Sequence, residues 1–289
     1  MASRKLPLFT QHPRSWRENR YVYAVVSRRS KGLSIGVNLN PDTSCNFDCI
    51  YCCVDRTIPP KYRKLDMDIL ASELDQMLHL TTSGQIFAEP PLDQTPPELR
   101  RINDLAFSGN GEPTACRHFG RACRMAVELL GKYGLGESAK IIVITNATLF
   151  HRSEVAEAMA FLDQHHGEIW AKLDAGTEEY YRLIERTRVP MARVLENILA
   201  AGRLRPIVIQ SLFMNVRGEG PTDAEIEAYI GRLRELAKRG CQIKLVQVYT
   251  TARRTAETYV TPLADAALDA IAAKVRPLGL NVETFYGPS

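Results

Sequence analysis

The sequence lacks any long apolar run. No stretch approaches the roughly 18 consecutive apolar residues of a membrane-spanning helix, and the first twenty residues are polar and basic, unlike a secretory signal peptide. Internal repeats and low-complexity segments are absent as well. We therefore expect a cytoplasmic protein with no membrane partner. The 289 residues, 45% of them hydrophobic, suffice for the buried core of one large α/β domain or two small ones.

Acidic residues are almost missing from the N-terminal end. Residues 1–31 hold eight basic residues against the single Glu18, a net charge of +7, so the remainder sums to −3 in a chain whose total is +4. A basic segment of this kind suits contact with RNA, a phosphorylated substrate or an acidic electron donor. The alternative is a solvated edge that keeps the protein soluble.

The chain has seven cysteines, an odd number, and none before Cys45. Without a signal peptide the cysteines are expected to be reduced, which favours metal ligation over disulfides. Cys45, Cys49 and Cys52 stand in one short run, with three residues between the first pair and two between the second. Such a loop can offer three thiolates to a cubane iron–sulfur cluster and leave the fourth iron open to a ligand other than protein.

A zinc site and a ferredoxin-like cluster are the alternatives for this loop. Zinc would need a fourth protein ligand, and no histidine lies nearby in the sequence. Cys53 is adjacent to Cys52 and is poorly placed to bind the same ion. The other four cysteines have no ligand spacing and are predicted to be inert thiols: Cys53, Cys116, Cys123 and Cys241. Of these, Cys53 and Cys116 are the two candidates for a further role.

The apolar pattern predicts strands alternating with helices. Expected strands are residues 33–39, 103–108, 140–145, 169–173, 206–213, 243–249 and 281–285; expected helices are about 66–80, 117–132, 153–165, 177–186, 191–201, 222–239 and 262–275. Ser153 is a predicted N-cap, and Thr222 with Glu225 is a predicted capping box. Residues 81–101, rich in proline, are expected to be irregular.

Alternation of this kind implies βαβ units around a parallel sheet. Six units are too few for a full eight-unit barrel and match a partial (β/α)6 barrel open on one side. We expect residues 1–32 to form a basic N-terminal extension packed on the barrel, and residues 33–289 to form the barrel as a single domain.

Polar residues follow the predicted strands at their carboxyl ends, where ligands of such sheets bind. The second strand leads into Ser-Gly-Asn-Gly-Glu-Pro-Thr at residues 108–114. Its glycines let backbone approach a ligand closely, and Glu112 offers an acceptor for an ammonium group; an ordinary strand-to-helix turn is the alternative. Other strand-end candidates are Thr145, Asn146, Lys172, Asp174, Gln210, Ser211, Gln247, Tyr249, Thr250 and Arg253.

The three cysteines, with the aromatic Tyr51 just before the third, resemble the cluster motif of the radical S-adenosylmethionine (SAM) superfamily. The resemblance covers roughly residues 33–286 and implies a [4Fe–4S] cluster whose open iron is chelated by the amino and carboxylate groups of SAM. One electron, from a donor such as flavodoxin or ferredoxin, then yields methionine and a 5′-deoxyadenosyl radical that abstracts a substrate hydrogen.

The resemblance also implies a set of cofactor-binding residues. The segment with Gly109, Gly111, Glu112 and Pro113 is one residue looser than the family's Gly-Gly-Glu-Pro segment, which binds the methionine amino group. The full implied set is Tyr51, Gly109, Gly111, Glu112, Pro113, Thr145, Asn146, Lys172, Asp174, Gln210 and Gln247. No catalytic residue is assigned, and the sequence leaves the substrate open; Arg253 suggests an anionic group on it.

Two runs, Tyr21 to Leu39 and Val246 to Arg253, resemble a branch related to the wyosine tRNA-modifying enzymes. This chain lacks the upstream cysteines of the archaeal members and the flavodoxin domain of the eukaryotic ones. Both absences count against wyosine synthesis. Two alternatives to an enzyme on an unidentified substrate stay open: tRNA base modification, and a metal-stabilised RNA- or protein-binding adaptor without catalysis.

Overall fold

The computed structural model describes residues 16–287. These residues divide into two compact units. The first holds the described chain up to Cys45, with Ile58–Ile144 and Arg152–Ile169; the second holds Asn46–Thr57, Thr145–His151 and the chain from Trp170 onward. None of the helices in the described part of the chain is long and apolar enough to cross a membrane.

The first unit is built on strands β1 (Val22–Ser27), β2 (Gly32–Val37), β3 (Ile102–Phe107) and β4 (Lys140–Thr145), which are neighbours in that order. β1 pairs antiparallel with β2, whereas β2, β3 and β4 run parallel. β2 is buried along its whole length, as expected for a parallel strand covered on both faces. The helices of the first unit are α1 (Met67–Thr82), α2 (Phe119–Lys132) and α3 (Ser153–Asp163).

Helix α1 shows how local sequence places these elements. The Asp66 side chain accepts from the backbone N–H groups of Asp68 and Ile69, which satisfies two free donors at the start of the helix. Leu70, Leu74, Met77 and Leu78 form its buried face, at the three- and four-residue spacing of an amphipathic helix.

The second unit contains the end of β5 (Gly167–Lys172), whose first three residues belong to the first unit. Parallel strands β6 (Ile207–Leu212), β8 (Ile243–Tyr249) and β10 (Val282–Phe285) follow β5 in the sheet. A separate antiparallel ribbon joins β7 (Met214–Val216) to β9 (Val260–Pro262). The helices are α4 (Glu178–Glu185), α5 (Met191–Leu204), α6 (Asp223–Lys238) and α7 (Asp265–Val275).

The sheet register of the second unit lines up four polar residues on neighbouring strands. Lys172 is opposite Gln210, Gln210 is opposite Gln247, and Gln247 is opposite Glu283. Residues opposite each other in neighbouring strands share one face of the sheet. A polar row therefore crosses four neighbouring strands of the sheet.

Every predicted helix and strand is present, with shifts of a few residues at the ends. Within residues 81–101, the first two residues end α1, and the rest contain short 3-10 turns and no longer element. Strands β1, β7 and β9 lack a sequence prediction. The boundary expected between residues 32 and 33 stays a prediction, although β1 lies before it and pairs with β2. Residues 1–15 of that extension lie outside the described residues.

Two predicted caps are wrong in part. Ser153 is the first residue of α3, and Arg152 takes the N-cap position with no side-chain cap bond. Thr222 does cap α6 by accepting from the Glu225 N–H. Glu225 does not complete the box, because its carboxylate accepts from donors at the start of α4 instead. These donors are Gly176 N, Thr177 N at 3.2 Å and Thr177 Oγ1 at 2.5 Å.

Candidate functional site

The glycine-rich turn after β3 is fixed by close backbone packing within the first unit. A Cβ at Gly111 would lie 1.9 Å from the carbonyl oxygen of Ser44, and one at Gly109 would lie 2.5 Å from Asn38 Oδ1. The same Asn38 oxygen accepts from Asn110 N at 3.1 Å. Only glycine fits at these two positions, and the packing brings the turn against the residue that precedes Cys45.

Glu112 is buried at the end of this turn, with 2% of its surface exposed. Its Oε1 accepts from Thr114 N at 3.1 Å and from Thr114 Oγ1 at 2.5 Å. The carboxylate therefore caps the short helical turn of Pro113–Ala115. The predicted contact between Glu112 and an ammonium group stays a prediction.

The cysteine loop of the second unit, residues 46–52, is held by backbone bonds to the end of α4. Asp48 N donates to Glu185 O at 3.0 Å, and Ile50 N donates to Ile184 O at 2.9 Å. Further along, Ala256 N donates to Cys52 O at 2.9 Å. These bonds fix the path of the chain on both sides of Cys49 without using any cysteine sulfur.

A buried side-chain network surrounds Tyr51. Its hydroxyl lies 2.5 Å from Asp174 Oδ2 and 2.8 Å from Glu185 Oε1, and it accepts from Lys172 Nζ at 2.6 Å. Asp174 Oδ1 accepts from Leu212 N at 2.6 Å. The structure thus brings together three residues that the sequence predicted separately, Tyr51, Lys172 and Asp174, and adds Glu185, which the sequence did not reveal.

Glu185 also contacts a predicted cluster ligand. Its Oε2 lies 2.6 Å from Cys49 Sγ. The single proton of the Tyr51 hydroxyl cannot serve two carboxylates at once, so the contact with Glu185 calls for a proton on the carboxyl group. Burial, partly opposed by Lys172, raises the pKa of Glu185 to about 8, which agrees with a protonated carboxyl group.

Burial acts on the neighbouring groups in the same way. It raises the pKa values of Cys49 and Tyr51 well above their ordinary values, with nearby negative groups adding to the effect. Burial alone would lower the pKa of Lys172, but Cys49, Asp174 and Glu185 outweigh it and raise that pKa. Lys172 is therefore the fixed positive charge of the network.

Asn146, at the end of β4, braces the start of the loop. Its Nδ2 donates to Asn46 Oδ1 at 2.7 Å, and Asn46 Nδ2 donates to Thr148 Oγ1 at 2.7 Å. Thr145 Oγ1 accepts from Ala147 N at 3.0 Å. The two predicted strand-end residues, Thr145 and Asn146, take part in local bonds, and their predicted contacts with a ligand stay predictions.

Gln210 and Gln247 form a buried amide pair. Gln210 Nε2 donates to Gln247 Oε1 at 2.8 Å, and both residues are at most 1% exposed. Gln210 Oε1 has no hydrogen-bond partner. An orphaned buried acceptor destabilises a protein by about 1–3 kcal/mol. The predicted contact between Gln210 and a cofactor stays a prediction.

Two of the remaining strand-end candidates are engaged in local hydrogen bonds. Ser211 Oγ bonds to the Tyr229 hydroxyl at 2.7 Å, and Thr250 Oγ1 accepts from Leu263 N at 2.8 Å. Tyr249 and Arg253 are half-buried. The predicted role of Arg253 in binding an anionic group stays a prediction.

All seven cysteines are free thiols. Cys123 and Cys241 are buried, and burial raises the pKa of Cys241 to about 11 and that of Cys123 further. Both placements are those of inert thiols. Burial also raises the pKa of the half-buried Cys116, and Cys53 is half-buried as well.

Three thiols in one loop are a donor set that iron–sulfur clusters use. Within residues 16–287, no three histidine, cysteine or carboxylate side chains converge as the ligands of a single metal ion would. The donor chemistry and the orphaned Gln210 acceptor both fit the cluster and the nucleotide cofactor predicted from the sequence.

The basic residues Arg28, Arg29 and Lys31 lie in the turn between β1 and β2. This turn precedes the first residue of β2, whereas the glycine-rich turn follows the last residue of the parallel strand β3. A six-residue strand is about 20 Å long. Within the first unit, the basic turn and the glycine-rich turn are therefore at opposite ends of the strands.

The fold and the loop together define a class: α/β proteins with parallel strands and a three-cysteine loop after an early strand. A family model for the radical SAM superfamily matches residues 39–233. The chain belongs to that superfamily, so the predictions of the superfamily and of an enzyme of this class are confirmed.

Solved structures confirm the predicted fold class, a partial barrel of the radical SAM type. A radical SAM methyltransferase from Sphaerobacter thermophilus aligns with a TM-score of 0.57 and 12% identity, over 91% of this chain and 68% of that one. The structure of anSMEcpe with bound AdoMet and a peptide aligns with a TM-score of 0.50 and 15% identity, over 74% of this chain and 50% of that one.

Two curated proteins are similar in sequence. The UPF0026 protein slr1464 of Synechocystis is 28% identical over 185 residues, and the UPF0026 protein MJ1312 of Methanocaldococcus jannaschii is 26% identical over 184 residues. Each match covers 62% of this chain, with 56% and 48% of the two relatives' own lengths. The chain thus spans about half the length of these relatives.

Proposed function

We propose that the protein binds one [4Fe–4S] cluster and SAM and uses them to abstract a hydrogen atom from a substrate. The observation that carries the proposal is the cysteine loop: Cys45, Cys49 and Cys52 keep the superfamily spacing, and the backbone around Cys49 is already bonded to α4. When bound and reduced by one electron, the cluster would cleave SAM to methionine and a 5′-deoxyadenosyl radical.

The glycine-rich turn would bind the amino group of SAM. Gly109 and Gly111 remove the side chains that would block close approach of the backbone. Glu112, next to Pro113, holds a buried carboxylate at the end of the turn, and a carboxylate is the natural acceptor for an ammonium group.

Polar residues at the strand ends would bind the nucleoside and the carboxylate group of SAM. Lys172 supplies a cation for a carboxylate, Asp174 and Asn146 supply acceptors for ribose hydroxyls, and Gln210 with Gln247 supplies the orphaned acceptor described above. Tyr51 would take part through the buried bonds that its hydroxyl makes with Lys172 and Asp174.

The partners follow from this chemistry. Cleavage of SAM consumes one electron, so a donor such as a flavodoxin or ferredoxin is required. The substrate is unidentified, and Arg253 favours one with an anionic group. Modification of a tRNA base stays an alternative, but Arg28 and Arg29 lie at the end of the strands opposite the glycine-rich turn.

Anaerobic reconstitution with iron and sulfide tests the proposal. Reduction with dithionite in the presence of SAM should yield 5′-deoxyadenosine, and Cys49→Ala should yield none. Cys53→Ser, the adjacent thiol, is the matched control and should keep the product. A colourless wild-type protein that holds zinc when purified without oxygen would contradict the proposal and favour the non-catalytic adaptor.

A further inference from the structure

We propose that Glu185 is a positioning residue that sets the orientation of the Cys49 sulfur; this inference rests on the proposed function. Glu185 reaches the loop at three residues. Its carbonyl accepts from Asp48 N at 3.0 Å, and its two carboxylate oxygens lie 2.6 Å from Cys49 Sγ and 2.8 Å from the Tyr51 hydroxyl.

The stability of α4 does not explain this carboxylate. Glu185 is the last residue of the helix and is 2% exposed. A buried carboxyl group destabilises the fold unless it is well bonded. An apolar side chain of similar size would avoid that cost, so the carboxyl group is explained by what it contacts.

Helix α4 is a rigid reference for this contact because it is fixed at both ends. At its start, the Thr177 side chain accepts from Tyr180 N at 3.2 Å, and Glu225 of α6 holds Gly176 N and Thr177 N. At its end, Arg186 adopts a left-handed conformation with φ of 46° and stops the helix. Glu185 therefore belongs to a helix whose start is held by α6, while its own backbone bonds to the cysteine loop.

The loop meets this reference through packing as well as through bonds. Phe47 packs edge-on against Tyr181 of α4, with ring centroids 5.9 Å apart, and Thr187 Oγ1 donates to Asn46 O at 2.8 Å. These contacts position the loop backbone. Glu185 also contacts the sulfur of Cys49, a predicted ligand, and ties that sulfur to the same network as Tyr51.

The test compares variants of Glu185 for a property that folding alone does not change. Glu185→Ala, Glu185→Asp and Glu185→Gln are reconstituted anaerobically, and iron, sulfide and the electron paramagnetic resonance spectrum of the reduced cluster are measured with and without SAM. Glu179→Ala is the matched control, because Glu179 is an exposed carboxylate on the same helix.

We expect Glu185→Ala to retain at most half the wild-type iron and to give an altered spectrum. Glu185→Gln, which keeps the length and two polar atoms, should restore both. Glu185→Asp, one methylene shorter, keeps the carboxyl group but withdraws it from Cys49, so its spectrum should be altered even if Glu185→Ala does not fold. Wild-type spectra for the alanine or the aspartate variant would overturn the inference.

The inference and the proposed function fail in different ways. If the wild-type protein takes up no cluster or forms no 5′-deoxyadenosine, the proposed function fails before any variant is compared. If the wild type is active and the Glu185 variants match it in iron content and spectrum, only the positioning role of Glu185 is wrong.

Discussion

The glycine-rich turn of the first unit and the cysteine loop of the second unit are held in opposite ways. At Gly109 and Gly111 the backbone is in close contact with its neighbours, with no room for a Cβ. Around Cys49 and Tyr51, ionisable side chains from distant parts of the chain converge in a buried network. Steric exclusion therefore shapes the first region, and charge and hydrogen bonding shape the second.

The largest effect should come from the region of steric exclusion. Gly111→Ala places a Cβ 1.9 Å from a backbone carbonyl, which cannot move as a flexible side chain can. We expect it to lower the free energy of unfolding of the metal-free protein by about 3 kcal/mol, measured by urea denaturation.

Gly131→Ala is the control, because a Cβ there meets nothing within 4 Å. It lies inside α2 and should raise stability by about 0.5–1 kcal/mol. Equal effects of the two alanines would show that the close approach at Gly111 does not shape the turn.

A smaller effect should come from Glu225, which supports the second region from α6. Glu225→Ala removes the acceptor for Gly176 N, Thr177 N and Thr177 Oγ1. We expect the free energy of unfolding to fall by about 2 kcal/mol. The measurement is the decrease in thermal denaturation temperature.

Glu227→Ala on the same helix is the matched control for Glu225. Glu227 makes an exposed ion pair with Lys274 at 2.8 Å, and such pairs contribute at most about 1 kcal/mol. A control as destabilised as Glu225→Ala would mean that α6 itself, and not its bonds to the start of α4, accounts for the loss.

The smallest effect tests whether buried charge also matters in the first unit. Asp104 of β3 is 1% exposed and accepts from Ser34 Oγ at 2.5 Å. Burial raises the pKa of Asp104 above its ordinary value, while bonds from Ser30 and Ser34 oppose the shift. The folded state thus binds this proton more tightly than the unfolded state does.

The sign of the pH dependence follows from that shift. The stability contributed by protonated Asp104 is complete at pH below about 3.9, declines as pH rises towards the folded pKa, and stays lost above it. Asp104→Asn removes this dependence, so the difference in unfolding free energy between variant and wild type should grow in favour of asparagine from pH 4 upward. The slope is at most about 1.4 kcal/mol per pH unit.

Asp75→Asn should behave in the opposite sense. A hydrogen bond from Lys132 lowers the pKa of Asp75, so the Asp75 carboxylate stabilises the wild type more as pH rises. The asparagine variant should therefore become less stable than the wild type as pH rises, by a small amount because the pair is largely exposed. If both asparagine variants gave the same profile, burial would not be the cause at Asp104.

The two regions also differ in how far the sequence predicts them. The strands, the helices and the glycine-rich turn follow from periodicity and from glycines at a strand end, which are local signals. Glu185 could not be found this way, because its contacts with Cys49 and Tyr51 span more than 130 residues of sequence. The Thr222–Glu225 capping box had the right spacing, yet Glu225 turns to Gly176 and Thr177 instead.

Short strands were also beyond the reach of sequence patterns. β7 and β9 have three residues each and pair across 44 or more positions, too few to show a period of two. Polar rows are a partial exception: Lys172, Gln210 and Gln247 were each predicted as strand-end residues, and the register explains why they share one face.

The two backbone bonds from Asp48 and Ile50 to the end of α4 bear on how the holoprotein is assembled. They join peptide groups to peptide groups and need no iron. Under the proposed function, this segment can fold before the cluster is inserted, in contrast to small metal-dependent domains that stay unfolded until their ion binds.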